Sequence, residues 1–374
     1  MSDRYSLFVS TFNCGKVLPV NDSIALKAVI STLLPAEKSH DIYVLGFQEL
    51  TPIWHGSFVE IVEKTLQKVG KQAVELLNAQ NGGRRFKLAA LHSTGAIGLV
   101  VILATNVSVL SVLKASVKCG VLYSSLKGAA AVQVTLQLND CGISDSFVFM
   151  TAHLAANEGK NELLKREQDY HTVVDALQRE LGSFANHHVF LCGDFNFRSR
   201  KWTDNAEDFR NLALVQQAVA EHDELSLGRK AGRVFANFTE APITFGPTYK
   251  FSLTSPDEHY NLTRTPSWCD RVLFQSHQQT PKILSYTSRK RNASLQFTDH
   301  LPVALELVAP HIEFEPVVFP TQNAPQAQQW TAKLVGSATD TIVGYSGLVN
   351  ELYGRQIKAV ALMLAIWLVW KTIT

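Results

Sequence analysis

Cysteine is sparse in this chain, with five in 374 residues: Cys14, Cys119, Cys141, Cys192 and Cys269. No two form a CxxC and none heads a CxxH, which excludes a structural zinc site. Their apolar neighbours predict buried thiols in a reducing compartment. An excess of charge of one sign is also missing. Thirty-five Lys and Arg face 33 Asp and Glu, a net charge of +2, which excludes a strongly basic nucleic-acid binder but allows a local basic pocket. No internal repeat stands out, and the first residues hold no signal-peptide core. Long apolar runs are absent apart from twelve uncharged residues, Ala359 to Trp370. What remains is ordinary globular composition, 46% hydrophobic and 18% charged, and length enough for one large core plus an appendage.

The densest signal is Val189-Phe190-Leu191-Cys192-Gly193-Asp194-Phe195-Asn196-Phe197-Arg198. Four apolar residues predict a buried strand, and Gly193 lets the backbone turn tightly. Asp194 and Asn196 project to one side in extended chain. There the carboxylate can take a proton from water while the amide orients that water, and Arg198 on the same side suits a phosphate. Further strands are predicted at Leu7–Phe12, Asp41–Phe47, Phe86–Leu91, Ile97–Ala104, Val107–Leu113, Val117–Tyr123, Ala130–Leu138, Phe147–His153 and Trp268–Phe274, with a last one after Pro302. Helical periodicity marks Ser23–Leu34, Phe58–Asn78, Lys160–Leu181 and most of Asn205–His222. Helices alternating with short, partly hairpin-linked strands indicate an α/β fold with mixed sheets.

Polar residues gather where apolar strands end: Asn13, Glu49, His153, Asp194, Asn196, Asp299 and His300. Strand ends are where a rigid sheet presents side chains to a cleft. Each residue alone has a dull explanation as a turn cap, a solvated charge or a satisfied core histidine; together they suit metal-assisted hydrolysis of a phosphate ester. Glu49 helped by Asn13 is a weak all-oxygen site of the kind that takes Mg²⁺. Asp194 is the candidate general base and Asn196 the water-holding amide. His153 and His300 are candidates to bind phosphoryl oxygens or to protonate the leaving group. Direct attack by water is expected, with no phospho-enzyme.

These residues fall in motifs that resemble the inositol polyphosphate 5-phosphatases of the endonuclease/exonuclease/phosphatase superfamily. Pro266-Ser267-Trp268-Cys269-Asp270-Arg271-Val272-Leu273 is similar to that family's P-[AS]-W-C-D-R-[IV]-L, and Gly193 to Arg198 to its G-D-[LF]-N-[YF]-R. Thr11-Phe12-Asn13, Gly46-Phe47-Gln48-Glu49, Lys127-Gly128-Ala129, His153-Leu154-Ala155-Ala156, Gln168-Asp169-Tyr170, Pro247-Thr248-Tyr249-Lys250 and Thr298-Asp299-His300-Leu301-Pro302-Val303 follow the family's order across residues 8 to 307. The resemblance implies two mixed β-sheets packed as a DNase I-like sandwich with flanking helices, and an active site at one end. It implies Mg²⁺ at Glu49, Asp194 as base, His153 near the scissile phosphate, Asp270 orienting His300, and Asp299 close to metal or water. It places Tyr249, Lys250 and Arg264, with Lys127, as ligands of a neighbouring 4-phosphate. Arg271 follows Asp270 within the signature and is counted with the substrate-binding set, with service to the site's structure as the alternative; Arg198 is counted in the same set. The sequence departs from the family at Leu262, where a second lysine is common, and in the shorter Asn13-Cys14-Gly15.

Pro310 to Gln329, rich in Pro, Gln and Asn, reads as an exposed linker. The expected organisation is a catalytic domain over 1–309, a linker over 310–333, a weakly amphipathic segment over 334–356 and a membrane anchor over 357–374. Twelve apolar residues reach only about 18 Å as a helix, against roughly 30 Å of hydrocarbon. The whole of 357–374 nearly crosses if Lys358 and Lys371 snorkel, with Trp367 and Trp370 near the far interface. The expectation is therefore a tail anchor in the thinner endoplasmic reticulum membrane, the catalytic domain facing the cytosol, as in a small family member built of catalytic domain and anchor alone. The expected substrate is phosphatidylinositol 4,5-bisphosphate, cleaved to the 4-phosphate; no nucleic-acid or protein partner is expected. The alternatives are a 5-phosphatase of soluble inositol polyphosphates and an anchored phosphoinositide-binding module without activity.

Overall fold

Alternation along the strands decides which polar residues reach the interior. On β1 (Arg4–Asn13) the Tyr5 hydroxyl donates to Leu136 O on the opposite sheet, 3.2 Å away, and Asn13 Nδ2 donates to Asp194 at 2.8 Å. The computed structural model describes residues 4–35, 38–80, 83–138, 144–185, 187–276, 280–312 and 327–373. Cys141 and residues 313–326 of the expected linker lie outside them.

Two mixed sheets face each other. The first orders β10 (Lys282–Ser288), β11 (Val303–Pro310), β1, β2 (Ile42–Gln48), β4 (Ile97–Ala104) and β3 (Phe86–Thr94). The second orders β5 (Val107–Lys118), β6 (Gly128–Leu138), β7 (Ser144–His153), β8 (His188–Asp194) and β9 (Asp270–Gln275). Each sheet has one parallel pair, β1 with β2 and β7 with β8; their other pairs are antiparallel. The parallel pairs set the site, because Asn13 lies opposite Gln48 and His153 opposite Asp194 at matching strand ends. Between the sheets, Phe147, Phe149, Phe190 and Cys192 pack against β1 and β2. A helix pair, α1 (Ser23–Leu33) and α2 (Val59–Gln80), covers the first sheet. On the second lies α3 (Lys160–Leu181), through Tyr170, Val173, Leu177 and Leu181. Two short helices, α4 (Leu212–Glu221) and α5 (Glu224–Lys230), precede β9.

The expected Val117–Tyr123 strand is not formed. β5 ends at Lys118, and a 3₁₀ turn over Val121–Tyr123 follows, with Leu122 and Tyr123 at φ 51° and 57°. β10 and α5 have little sequence signal: β10 is an edge strand of mostly polar or half-exposed residues, and α5 is only 7 residues long.

The last helix, α6, runs Ala327–Ile373; its side chains are described for 331–354, 356 and 363. The expected membrane-crossing tail, and with it the endoplasmic reticulum location, is overturned. Among the described residues no helix is long and apolar enough to cross a membrane. The apolar run is short against hydrocarbon, and it continues a helix whose earlier turns bond to the sandwich: Asp340 to Ser125 and Lys118, Glu351 to Trp54.

Candidate active site

Gly193 makes the geometry of the site. It sits at φ +154°, and a Cβ there would lie 2.0 Å from Ala152 O on the paired strand. Only glycine fits so close a backbone approach, and Asp194 follows it out of the sheet. Two more strand ends use left-handed backbone, Glu49 at φ 47° and Asn196 at φ 58°. Such conformations are uncommon for residues with a Cβ and cluster at functional sites.

Asp194 is buried. One carboxylate oxygen accepts from Asn196 N at 3.0 Å, and the other accepts from Asn13 Nδ2 at 2.8 Å. His153 Nε2 and His300 Nε2 stand 3.4 and 3.8 Å from it. Burial works to raise its pKa, but His300, His153 and Lys127 outweigh burial and hold it well below the usual carboxylate range. Asp270, on the same interior face of the next strand, sits 2.8 Å from His300 Nδ1 and accepts from Thr248 Oγ1 at 2.7 Å. Burial opposes charge on His300, yet Asp270 and Asp194 push its pKa up to about 10. Burial, helped by Asp194, raises Asp270 to about 6. Lys127 Nζ lies 2.5 Å from His153 Nε2. Burial lowers Lys127 to about 8 against the pull of Asp194 and Glu49, and burial and Lys127 together lower His153.

Arg198 stacks its guanidinium on the Tyr249 ring, 4.6 Å from the centroid, and Nη2 donates to Asn196 Oδ1 at 2.5 Å. Its Nε and Nη1 are buried with no hydrogen-bond partner among the described residues. These groups line a cleft of about 320 Å³ together with Glu49, Asp299, Lys250 and Arg264. The structure thus brings together Asn13, Glu49, Lys127, His153, Asp194, Asn196, Arg198, Tyr249, Lys250, Arg264, Asp299 and His300, with Asp270 directly behind His300. It does not bring Arg271. Strand alternation turns that side chain to the outer face of β9, where it pairs with Glu240 and Asp223 and is fully buried. Arg271 is therefore withdrawn from the substrate-binding set. Cys192 and Arg198 have the C-x₅-R spacing of cysteine phosphatases, but the Cys192 thiol faces the inter-sheet core near Ser10 O. Burial pushes it up to about 12, so it is no nucleophile.

The family model for endonuclease/exonuclease/phosphatase family 2 matches residues 10–306. The chain belongs to this family. Rat phosphatidylinositol 3,4,5-trisphosphate 5-phosphatase 1 is 29% identical over 335 residues, covering 80% of this chain and 26% of the relative. Human synaptojanin-1 is 30% identical over 244 residues, covering 64% of this chain and 15% of the relative. This chain thus spans about a quarter or less of these curated relatives. Among solved structures, it shares its fold with a synaptojanin inositol polyphosphate 5-phosphatase domain in complex with inositol (1,4)-bisphosphate and a calcium ion. That match has a TM-score of 0.64 at 23% identity and covers 96% of this chain and 92% of the other.

Asp194, Asp270 and His300 offer ligand atoms within 4.8 Å of one another. A cation there would meet an imidazolium already shared between two carboxylates. Glu49 fits a hard cation better: its carboxylate faces the cleft, the Lys16 ammonium at 3.3 Å is on a half-exposed side chain that a bound ion can displace, and neighbouring Asn13 keeps a lone pair on an amide oxygen that accepts from Gly15 N. Sequence reasoning gave no role to Thr248, Lys16 or Asn157. Thr248 stands within Pro247-Thr248-Tyr249-Lys250, and its hydroxyl fixes Asp270. Asn157, at φ 76°, bonds Arg264 at 3.3 Å; neither Asn157 nor Lys16 carried a signal beyond its place just after a strand-end motif.

Proposed function

We propose that this chain is a phosphoinositide 5-phosphatase that converts phosphatidylinositol 4,5-bisphosphate to phosphatidylinositol 4-phosphate by direct attack of water. The carrying observation is the buried Asp194, held by Asn13 and Asn196 and flanked by two histidines, at the floor of a cleft walled by cations. Asp194 takes the proton of the attacking water, and Asn196, fixed by Leu154 O and Arg198, orients that water. His300, charged through Asp270, and His153 bind the phosphoryl oxygens and serve the leaving group. The Nε and Nη1 nitrogens of Arg198, without a partner among the described residues, suit an anionic oxygen. Tyr249, Lys250, Arg264 and Lys127 hold the neighbouring 4-phosphate. Glu49 with Asn13 would hold Mg²⁺, which supplies Lewis-acid polarisation and charge neutralisation when bound. Asp299, 3.9 Å from His300 Nε2, orients that ring or the water.

Preference for the lipid over its free headgroup is supported by exposed Val121, Leu122 and Tyr123 just before Lys127, apolar surface that a soluble inositol phosphate leaves unused. The test is phosphate release by the full chain from short-chain 4,5-bisphosphate lipid and from soluble inositol 1,4,5-trisphosphate, with Mg²⁺ and with chelator. Mg²⁺-dependent release, faster from the lipid, is expected. Equal release from both would remove the lipid preference. Release insensitive to chelator would remove the metal, and none from either would overturn the hydrolase.

A further inference from the structure

The connection from β5 to β6, residues 119–127, delivers Lys127 to the cleft by a costly route. Leu122 and Tyr123 are consecutive non-glycine residues in left-handed backbone, which persists only where the surroundings over-determine it. The surroundings are α6. Asp340, buried on that helix, accepts from Ser125 N at 2.8 Å and from Ser125 Oγ at 3.0 Å, and its other oxygen sits 2.8 Å from Lys118 Nζ. One carboxylate thus grips both sides of the turn. Cys119 N donates to Lys127 O at 2.9 Å and closes it.

The helix comes this close because it carries glycine where it touches. A Cβ at Gly336 would lie 2.3 Å from Tyr123 O, and one at Gly347 would lie 2.2 Å from Trp54 Cβ. Glycine inside a helix is unfavourable, so these positions answer to contact and not to helix propensity. The second contact is with the segment that follows Glu49. Trp54 Nε1 donates to Glu351 Oε2 at 2.8 Å, and Tyr345 meets Phe58 edge-on at 5.7 Å. The two gripped segments are also joined through the β3–β4 turn at Gly95-Ala96. A Cβ at Gly95 would lie 2.0 Å from Ser125 O, while Ala96 O accepts from Leu50 N at 3.0 Å.

We infer that α6 splints the active-site loops and that Asp340 is a positioning residue, acting through Ser125 on the placement of Lys127 against the substrate phosphate. The inference rests on the phosphatase reading for its ligand. Its test uses the full chain with Asp340→Ala and, as an independent wedge, Gly347→Leu. With short-chain 4,5-bisphosphate lipid, KM is expected to rise about tenfold in Asp340→Ala while kcat stays within about threefold, the size of effect that loss of hydrogen bonds to a charged group allows. Asp340→Asn, which keeps an acceptor for Ser125 but not the charge, should fall between. Amide exchange over 120–127 should quicken in both Asp340→Ala and Gly347→Leu, and inositol 1,4-bisphosphate, titrated calorimetrically in chelator, should bind about tenfold more weakly to Asp340→Ala. Unchanged exchange over 120–127, or faster exchange with KM and this affinity within twofold of the parent, would overturn the splint. A parent that binds the bisphosphate but releases no phosphate overturns the hydrolase reading and leaves the splint to be judged on binding. A parent that does neither overturns the site reading, and exchange alone then decides whether α6 holds the turn.

Discussion

Asp270 and Arg271 are neighbours on β9 and both are fully buried, yet their clusters differ in what closes them. Arg271 faces outward, toward Asp223 at the start of α5. Its Nε and Nη2 donate to the two oxygens of Glu240 at 2.6 and 2.7 Å, its Nη1 to Asp223 at 2.9 Å, and Tyr286 adds a hydroxyl to Glu240 at 3.0 Å. Every cation in that knot is an arginine, which does not lose its proton in proteins. Asp270 faces inward, and its cationic partner is a histidine. Each cluster holds one carboxylate oxygen buried with no partner among the described residues, on Asp270 and on Asp223, but beyond His300 the inward cluster opens through Asp194 to the cleft. Fixed charges closed off from the cleft hold a fold together. Titratable charges that open to it can move a proton. The signature Trp268-Cys269-Asp270-Arg271 joins the two kinds in adjacent residues.

The contrast can be broken at either end. On the cleft side, Asp194→Ala should cut phosphate release by at least ~10³, since a positioned general base contributes about 10²–10⁴; release within tenfold of the parent would remove Asp194 from that role. On the outward side, Arg271→Met leaves Asp223 buried without its ion-pair partner, while Glu240 keeps Arg229 and Tyr286, and breaking a buried pair in this way costs about 3–5 kcal/mol of stability. Urea unfolding should show that loss while kcat per folded molecule stays near the parent value. A stable variant with reduced kcat would return Arg271 to the site. The smallest effect sharpens the comparison by pH. Lys127, lowered by burial to about 8, is a cation below that pH and neutral above it. A phosphate ligand is therefore lost as pH rises, and kcat/KM should decline above pH ~8. Lys127→Met should flatten that limb, whereas Arg271→Met should leave it in place. A limb unchanged in Lys127→Met would assign it to another group.

Much of the site was legible because strand ends announce themselves. Asn13, His153 and Asp194 each close an apolar run, and a period of two places them on the interior face once that face is known. Arg271 was left between substrate and structure for the same reason. A signature read as a string puts neighbours together, while the pleat sends Asp270 and Arg271 to opposite sides of the sheet. The tail was misread from composition: an apolar run was taken as anchor, whereas the helix that carries it packs Gly344 and Gly347 against Ser57, Phe58 and Trp54.

By itself the sequence determined an α/β fold with mixed sheets, the order of the motifs and the residue types at the strand ends, because alternation, turns and caps act over a few residues. Only the tertiary structure decided the contacts made across long separations. His300 reaches back 30 residues to Asp270, Asn13 crosses 181 to Asp194, and Asp340 crosses 215 to Ser125. Which carboxylate meets which cation depends on how the sheets stack and where the last helix lies. That stacking is settled by the packing of the whole core, which no local stretch of sequence encodes.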